Sequence, residues 1–439
     1  MLREEKNTES MDDSLTGSLD GKYVIFVRSS NNSRGVAYQT LRDLGVRIIM
    51  VHPIMNWAAP YPWRWIHCET NDIPVLIETV TATLATWPEV VVSGVLTFDE
   101  YGVLPAAMLG AALGLTVCPA PADVVRLTHI KSDFREWCGR VGVRAPVSYT
   151  LLTVACLEKT LPRIHSYPVV VKPSPGAGSM LVSMCRNEEE LRAAVPIVFA
   201  ALDRNPDAYL WCTLGTTFQV LIEEYIGGTE VDIDCIVQDG VLKYTLVSEN
   251  FETLPPYFVE SGGFAPLEEG RMKTALLALV EKYVSAHGKA LNCVMHFEAK
   301  YDDVRQEAFV IEVNLRVGAA ETHCLNLNAG GVDLCLEYVR LACGLPINLQ
   351  KAAHTTCVAS INFVPDHAGT VSTSHVLPEV TADASYVSHK LYWAIGDRVD
   401  VPPVSSKAMG WLVAKGNDRQ SSVANMRRLA EGCVFQIAM

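Results

Sequence analysis

Over the first third of the chain, short apolar runs alternate with helical stretches. The segments K-Y-V-I-F-V-R at 22–28, R-I-I-M-V-H at 47–52, E-V-V-V-S-G-V at 89–95 and L-T-V-C at 115–118 read as strands. The helical stretch Val75 to Thr86 between two of them gives the βαβ rhythm of a parallel sheet. Beyond it the order changes. One helical segment from Thr128 to Val143 carries Lys131 near its start, and strand Pro168–Lys172, a Gly/Ser/Pro loop and strand Met180–Cys185 follow. A helix opens at Asn187, whose side chain suits an N-cap ahead of Glu188, Glu189 and Glu190 at the positive end of the dipole. Strand Phe218–Tyr225, an amphipathic helix near Glu268–His287 closed by Gly288, strands 292–301 and 308–316, a helix near Val332–Cys343 and a β-rich tail complete the pattern. The fold class is α/β, with α+β parts.

The stretch Tyr101 to Ala122 carries no charge over twenty-two residues, long enough to suggest a membrane span. Its glycines and Pro105, Pro119 and Pro121 break it, and a buried small-residue helix leading into a strand fits better. With 439 residues, of which 49% are apolar, the chain is large enough for two or three domains without disulfide staples. Lys+Arg 36 against Asp+Glu 49 gives −13, so neither a phosphate backbone nor an anionic lipid surface is a default partner. Any bound anion needs a local cationic site. The thirteen cysteines lie between Cys68 and Cys433 with no C-x-x-C pair, which fits reduced thiols in a cytoplasmic protein. Residues 1–20 read as a solvated acidic tail, not a signal peptide.

Three segments carry chemistry. In V-V-V-K-P-S-P-G-A-G-S-M-L-V-S-M, 169–184, a strand ends in Lys172 and a flexible loop feeds another strand. Gly176 and Gly178 let backbone N–H groups approach phosphate oxygens, Ser179 adds a hydroxyl and Lys172 a cation. The plain alternative is an ordinary glycine hairpin beside a surface lysine. No Walker or Rossmann signature occurs anywhere. In L-I-E-E-Y-I-G-G-T-E-V-D-I-D, 221–234, a strand edge could pair with adenine and a later carboxylate with ribose, although acids around a Gly-Gly turn are usually just solvated. In H-F-E-A-K-Y, 296–301, and F-V-I-E-V-N-L-R, 309–316, the polar Glu298, Glu312 and Asn314 interrupt apolar strands. Pairing with positions summing to about 610 sets Glu298 opposite Glu312, with Asn314 and Arg316 on the same face. Facing carboxylates call for a hard cation such as Mg²⁺. A solvated edge hairpin is the alternative, and His296 reads as a satisfied supporting residue.

Taken in order, Lys131, the Lys172 loop, E-E-Y-I with Glu230, Glu298 and E-V-N-L-R resemble the ATP-grasp superfamily of carboxylate–amine ligases, and within it the amino-acid and dipeptide ligases of the carnosine synthase-like group. The likeness runs from residue 21 to the end, including F-D-E at 98–100 and G-W-L-V-A-K-G at 410–416. It implies an ATP-grasp fold with an N-terminal parallel-sheet α/β domain (21–125), a linker helix (126–147), a small lid domain (148–226) and a C-terminal α+β catalytic domain (227–439). By the resemblance, Lys131 and Lys172 contact the ATP phosphates under a mobile loop of Gly176, Gly178 and Ser179. Glu223, Glu224 and Ile226 match the adenine side, Glu230 the ribose acid, and Glu298, Glu312 and Asn314 the ligands of Mg²⁺, with Mn²⁺ as a substitute. Arg316 matches the arginine that steadies an acyl phosphate, and with Lys172 it is expected to be catalytic. Glu224 departs from the lysine many relatives carry.

The implied reaction activates a small carboxylate with ATP and joins it to an amine, releasing ADP and phosphate. Expected partners are ATP and small-molecule carboxylate and amine substrates, with no nucleic acid or membrane and with a homodimer allowed. V-G-A-A-E-T-H at 317–323 also resembles biotin carboxylase-like members, so a bicarbonate-dependent carboxylase is the alternative, and a nucleotide-binding module without turnover is a third.

Overall fold

In the computed structural model, residues 18–115, 120–176, 178–202, 219–253, 256–319, 321–349, 356–402 and 405–439 are described. The acidic tail up to residue 17 and most of the strand expected at 115–118 lie outside them. The apolar runs of the first hundred residues form β1 (Tyr23–Val27), β2 (Arg47–Val51), β3 (Arg64–Ile66) and β4 (Val92–Leu96). They pair as a parallel sheet in the order β3-β2-β1-β4. β-Branched and aromatic residues fill it on both faces, as a parallel sheet covered by helices requires. Ile25, Val27 and Ile49 pack under helices Ile73–Ala85 and Val103–Ala112, while Val24, Phe26 and Ile48 pack on the other side. Within the uncharged stretch, helix Val103–Ala112 buries Val103 to Ala107, Leu109 and Gly110 in the core, and no described helix is long and apolar enough to cross a membrane.

A second, antiparallel sheet contains β5 (Ser148–Leu151), β6 (Val169–Pro173), β7 (Ser183–Cys185) and β8 (Val220–Glu224), in the order β5-β8-β6-β7. Helix Glu188–Leu202 covers its apolar face through Leu191, Val195 and Val198, and Asn187 caps that helix by accepting from the Glu190 N–H at 2.9 Å. The strand expected at 180–185 is confined to Ser183–Cys185. The chain before it turns through positive φ at Gly178 (66°), Ser179 (53°) and Leu181 (61°), which a strand cannot accommodate.

The largest sheet has eight strands and is antiparallel throughout. It is built from β9 (Thr229–Gln238), β10 (Val241–Asn250), β11 (Gly262–Ala265), β12 (Cys293–Asp302), β13 (Glu307–Asn314) and β14 (Cys357–Phe363). After β15 (Gly369–Val376), the chain adds β16 (Tyr386–Leu391) and, beyond β17 (Arg398–Val399), β18 (Gly410–Gly416). The order is β13-β12-β9-β10-β11-β14-β18-β16, while β15, β17 and a final β19 (Cys433–Ala438) form a small sheet. Along β9 and β12 the period of two is plain. Val231, Ile233, Cys235, Met295, Phe297 and Ala299 pack against helix Arg271–His287, which leaves Glu230, Asp232, Asp234, His296, Glu298 and Lys300 on the opposite face. Helix Leu334–Ala342 sits between this sheet and the parallel sheet, and Tyr338 and Val339 share a core with Phe26 and Ile236.

The helix expected over 128–143 is two helices, Ala122–His129 and Lys131–Val141, with Ile130 extended between them (φ −99°, ψ 95°). The reason is tertiary. Ser174, just past β6, accepts the Lys131 N–H at its carbonyl (3.2 Å) and the Ser132 N–H at its hydroxyl (3.1 Å), which starts a new helix there.

Candidate functional site

Lys131, Lys172, Gly176, Gly178, Ser179, Glu223, Glu224, Ile226, Glu230, Glu298, Glu312, Asn314 and Arg316 all line one cavity of about 370 Å³ between the four-stranded antiparallel sheet and the eight-stranded sheet. The smaller sheet forms one wall and the larger sheet the floor.

Two lysines reach the cavity from separate elements. Lys172 ends β6, and Lys131 opens the helix that Ser174 caps, so the break at Ile130 brings the lysine-bearing segments together. Lys131 Nζ donates to the Gly176 carbonyl (2.8 Å) and pairs with Glu312 Oε2 (3.1 Å). Lys172 Nζ pairs with Glu223 Oε2 (2.6 Å), and Arg135 Nε holds the other oxygen (2.7 Å). All three groups are buried. Burial lowers the Lys172 ammonium despite the Glu223 charge opposing it. For Glu223, burial acts upward, but Arg135 and Lys172 outweigh it and hold the carboxyl below its usual range. Glu223 therefore fixes Lys172, and its carboxylate is already committed. Glu224 turns its side chain the other way, onto the exposed Arg305 and the Val147 N–H, and its own N–H donates to the Val147 carbonyl (2.8 Å).

Gly178 closes the loop over the cavity in the left-handed region, and its carbonyl accepts from Ser406 Oγ. At the hinge between β8 and β9, Gly228 has φ 81°, and a Cβ there would lie 2.1 Å from the Tyr301 carbonyl oxygen. Only glycine fits that approach.

On the floor, Glu298 lies opposite Glu312 and His296 opposite Asn314, the pairing expected from the sequence. Towards the turn the register slips by one, with Ala299 opposite Val310, so Ile311 is the extra residue of a bulge. The bulge is occupied: Arg135 Nη2 donates to the Ile311 carbonyl at 2.6 Å. Asn314 Nδ2 donates to Glu298 Oε1 at 3.1 Å. Burial and the facing Glu312 push the Glu298 carboxyl well up, although His296 opposes this. Two carboxylates and an amide, crowded until one acid resists ionising, are a hard-oxygen donor set that fits a divalent cation such as Mg²⁺. Glu230 reaches Lys300 at 3.7 Å, and that ammonium also lies 5.2 Å from the Tyr225 ring centre.

Sequence reasoning underweighted several residues. Asp232 and Asp234 follow Glu230 at the period of two, and both face His296 (3.7 and 2.9 Å). Burial would lower the imidazole, but these two acids lift it to about 10. The alternation of acids in T-E-V-D-I-D was the available signal. Arg135 stands one helical turn after Lys131, a spacing that places both on one face. Further along the floor, Ser248, Asn250, Glu260, Ser360 and Asn362 continue the polar lining, together with Glu321, whose Oε1 accepts from Ser360 at 2.9 Å. Partial desolvation and the nearby Asp232 and Glu321 act to raise the carboxyl of Glu260, whose side chain stays exposed at the cavity edge. Outside the cavity, the eleven described cysteines are free thiols.

Residues 165–324 match the family model for the ATP-grasp domain. The chain is 24% identical to the uncharacterised protein y4rH of Sinorhizobium fredii, over 90% of this chain and 79% of that protein. It is 26% identical to carnosine synthase 1 of Gallus gallus over 78% of this chain, but spans only 38% of that protein's length. Among solved structures, an L-amino acid ligase from Bacillus licheniformis superposes with a TM-score of 0.82 at 20% identity, covering 95% of this chain and 99% of that one. Residues 165–324 carry an ATP-grasp domain, the chain has the fold of ATP-grasp structures, and the proteins it is similar to include carnosine synthases.

Proposed function

We propose that this protein is an ADP-forming ligase that activates a small carboxylate of the amino-acid class and joins it to an amine. The observation that carries the reading is Glu298 facing Glu312 in the same cavity as Lys131 and Lys172. A carboxylate oxygen of the substrate would attack the γ-phosphorus of ATP and displace ADP, and the amine would then attack the acyl carbon, with phosphate and a proton leaving. No protein nucleophile is needed. Lys131 and Lys172 would hold the phosphates, backbone groups of Glu224 and Ile226 the adenine, Glu230 the ribose, and Arg316 the developing acyl phosphate. Glu298, Glu312 and Asn314 would hold Mg²⁺, which when bound neutralises phosphate charge. The loop at Gly176, Gly178 and Ser179 would exclude water from the activated acyl group. The acidic floor at Asp232, Glu260 and Glu321 suits a substrate ammonium, which favours amino acids over plain carboxylates.

The test is a coupled assay with ATP, Mg²⁺ and a panel of amino-acid pairs, with products identified by mass spectrometry. ADP and phosphate release that depends on both substrates is expected. AMP and pyrophosphate would overturn the mechanism, and a bicarbonate requirement with no amine requirement would move the reading to a carboxylase.

A further inference from the structure

The F-D-E segment at the end of β4 has a task for each residue. Phe98 is buried against Phe26 and Tyr38, which fixes the segment to the parallel sheet. Thr97 Oγ1 donates to the Val27 carbonyl (2.6 Å) and accepts the Asp99 N–H (3.0 Å). Asp99 accepts the Tyr101 N–H (3.0 Å) and pairs with Arg28 Nε (3.0 Å). Gly102 closes the turn so tightly that a Cβ there would lie 2.7 Å from the Val27 carbonyl oxygen. The turn is a rigid mount, and what it presents is Glu100.

Glu100 reaches out of the parallel-sheet unit to two groups elsewhere. Its Oε2 lies 2.5 Å from Arg316 Nε, and its Oε1 lies 3.1 Å from His129 Nε2, with all three side chains largely buried. Burial acts to raise the Glu100 carboxyl, but Arg316 and His129 outweigh it and keep it below its usual range. Arg316 Nη1 donates to its neighbour's carbonyl at Val317 (3.0 Å), and Nη2 has no partner among the described residues. His129 is the last residue before the break at Ile130, and Lys131 follows directly. One carboxylate thus ties the mount on the parallel sheet to the arginine after β13 and to the end of the segment that delivers Lys131.

We propose that Glu100 is the positioning residue for Arg316: from the F-D-E turn it fixes the guanidinium by its Nε edge, leaves an Nη group for the substrate, and couples that placement through His129 to Lys131. Its catalytic consequence rests on the ligase reading above. The placement itself does not.

Two measurements separate the two. In protein labelled with ¹⁵N-arginine, the Nε–H resonance of Arg316, assigned by its disappearance in Arg316→Lys, is expected to be sharp and slowly exchanging in the native chain. It should be broadened or lost in Glu100→Gln and retained in Glu100→Asp. An unchanged resonance in Glu100→Gln overturns the positioning whether or not any ligase activity is found. In the coupled assay, Glu100→Gln is expected to lower kcat by about 10²-fold, the scale for a misplaced reacting group, with little change in KM for ATP. Glu100→Asp should recover part of it. The double variant Glu100→Gln/Arg316→Lys should cost little more than Arg316→Lys alone, because both act through one group. Losses that multiply, or a Glu100→Gln kcat equal to that of the native chain, overturn the proposal. If the native chain forms no ADP with any pair, the ligase reading fails and the resonance alone decides the positioning.

Discussion

The wall and the floor of the cavity solve opposite electrostatic problems. On the wall, Lys172 and Arg135 are buried cations that share one buried carboxylate, Glu223, so each has an acid partner before any ligand arrives and one positive charge is left over. On the floor, Glu230, Asp232, Glu298, Glu312 and Glu260 crowd one face, and Lys300, His296, Arg316 and the borrowed Lys131 stand against them. The result is seen in Glu298 and Glu260, both held above the usual carboxylate range. A preassembled wall and a frustrated floor imply that bound cations, whether metal or ammonium, contribute most on the floor, whereas the wall only has to keep its lysine in place.

The comparison can be broken in several ways. Removing the wall's shared acid should have the largest effect: Glu223→Leu leaves two buried cations without a counter-charge and is expected to cost about 3–5 kcal/mol of stability, read as a lower urea midpoint. A change of less than about 1 kcal/mol would mean the wall is not held by this triad. On the floor, Glu312→Gln is expected to lower turnover at least about 10²-fold while leaving the fold intact, and near-native turnover would remove the metal assignment. A smaller effect concerns pH. Partial desolvation, with Asp232 and Glu321 nearby, pushes the Glu260 carboxyl above its usual range on an exposed edge of the cavity, so it gains negative charge as pH rises through neutrality. KM for an ammonium-bearing substrate should therefore fall as pH rises from about 6 to 8, and Glu260→Gln should flatten that profile. The smallest is Gly178→Ala in the loop, where no atom lies within 4 Å of the added Cβ. Only backbone strain of about 1–2 kcal/mol applies, to be measured as a modest shift in thermal midpoint.

Much of the floor was legible because strands carry a short-range code. The period of two in H-F-E-A-K-Y and F-V-I-E-V-N-L-R put Glu298, Glu312 and Asn314 on one surface, and the turn at 303–306 set their register. The bulge at Ile311 was not legible, since it is stabilised by Arg135 from a helix far away in the chain. The wall was only half visible. Lys172 and its loop stood out, but the use of Glu223 as a clamp depends on where Arg135 packs.

The alternation of apolar and polar residues, the turn signals and the spacing of the acids are local properties, and by themselves they determined the parallel sheet of the first third, the loop after Lys172 and the acidic face of the floor. Tertiary structure decided everything that joins separate elements. Ser174 splits one expected helix into two and so delivers Lys131, Gly228 lets the hinge lie against the Tyr301 carbonyl, and Glu100 reaches Arg316, which lies 216 positions further along the chain (316 − 100). Charges separated by that much chain have no short-range pattern to reveal them, because their pairing is set by which surfaces the core brings together and how much water it removes.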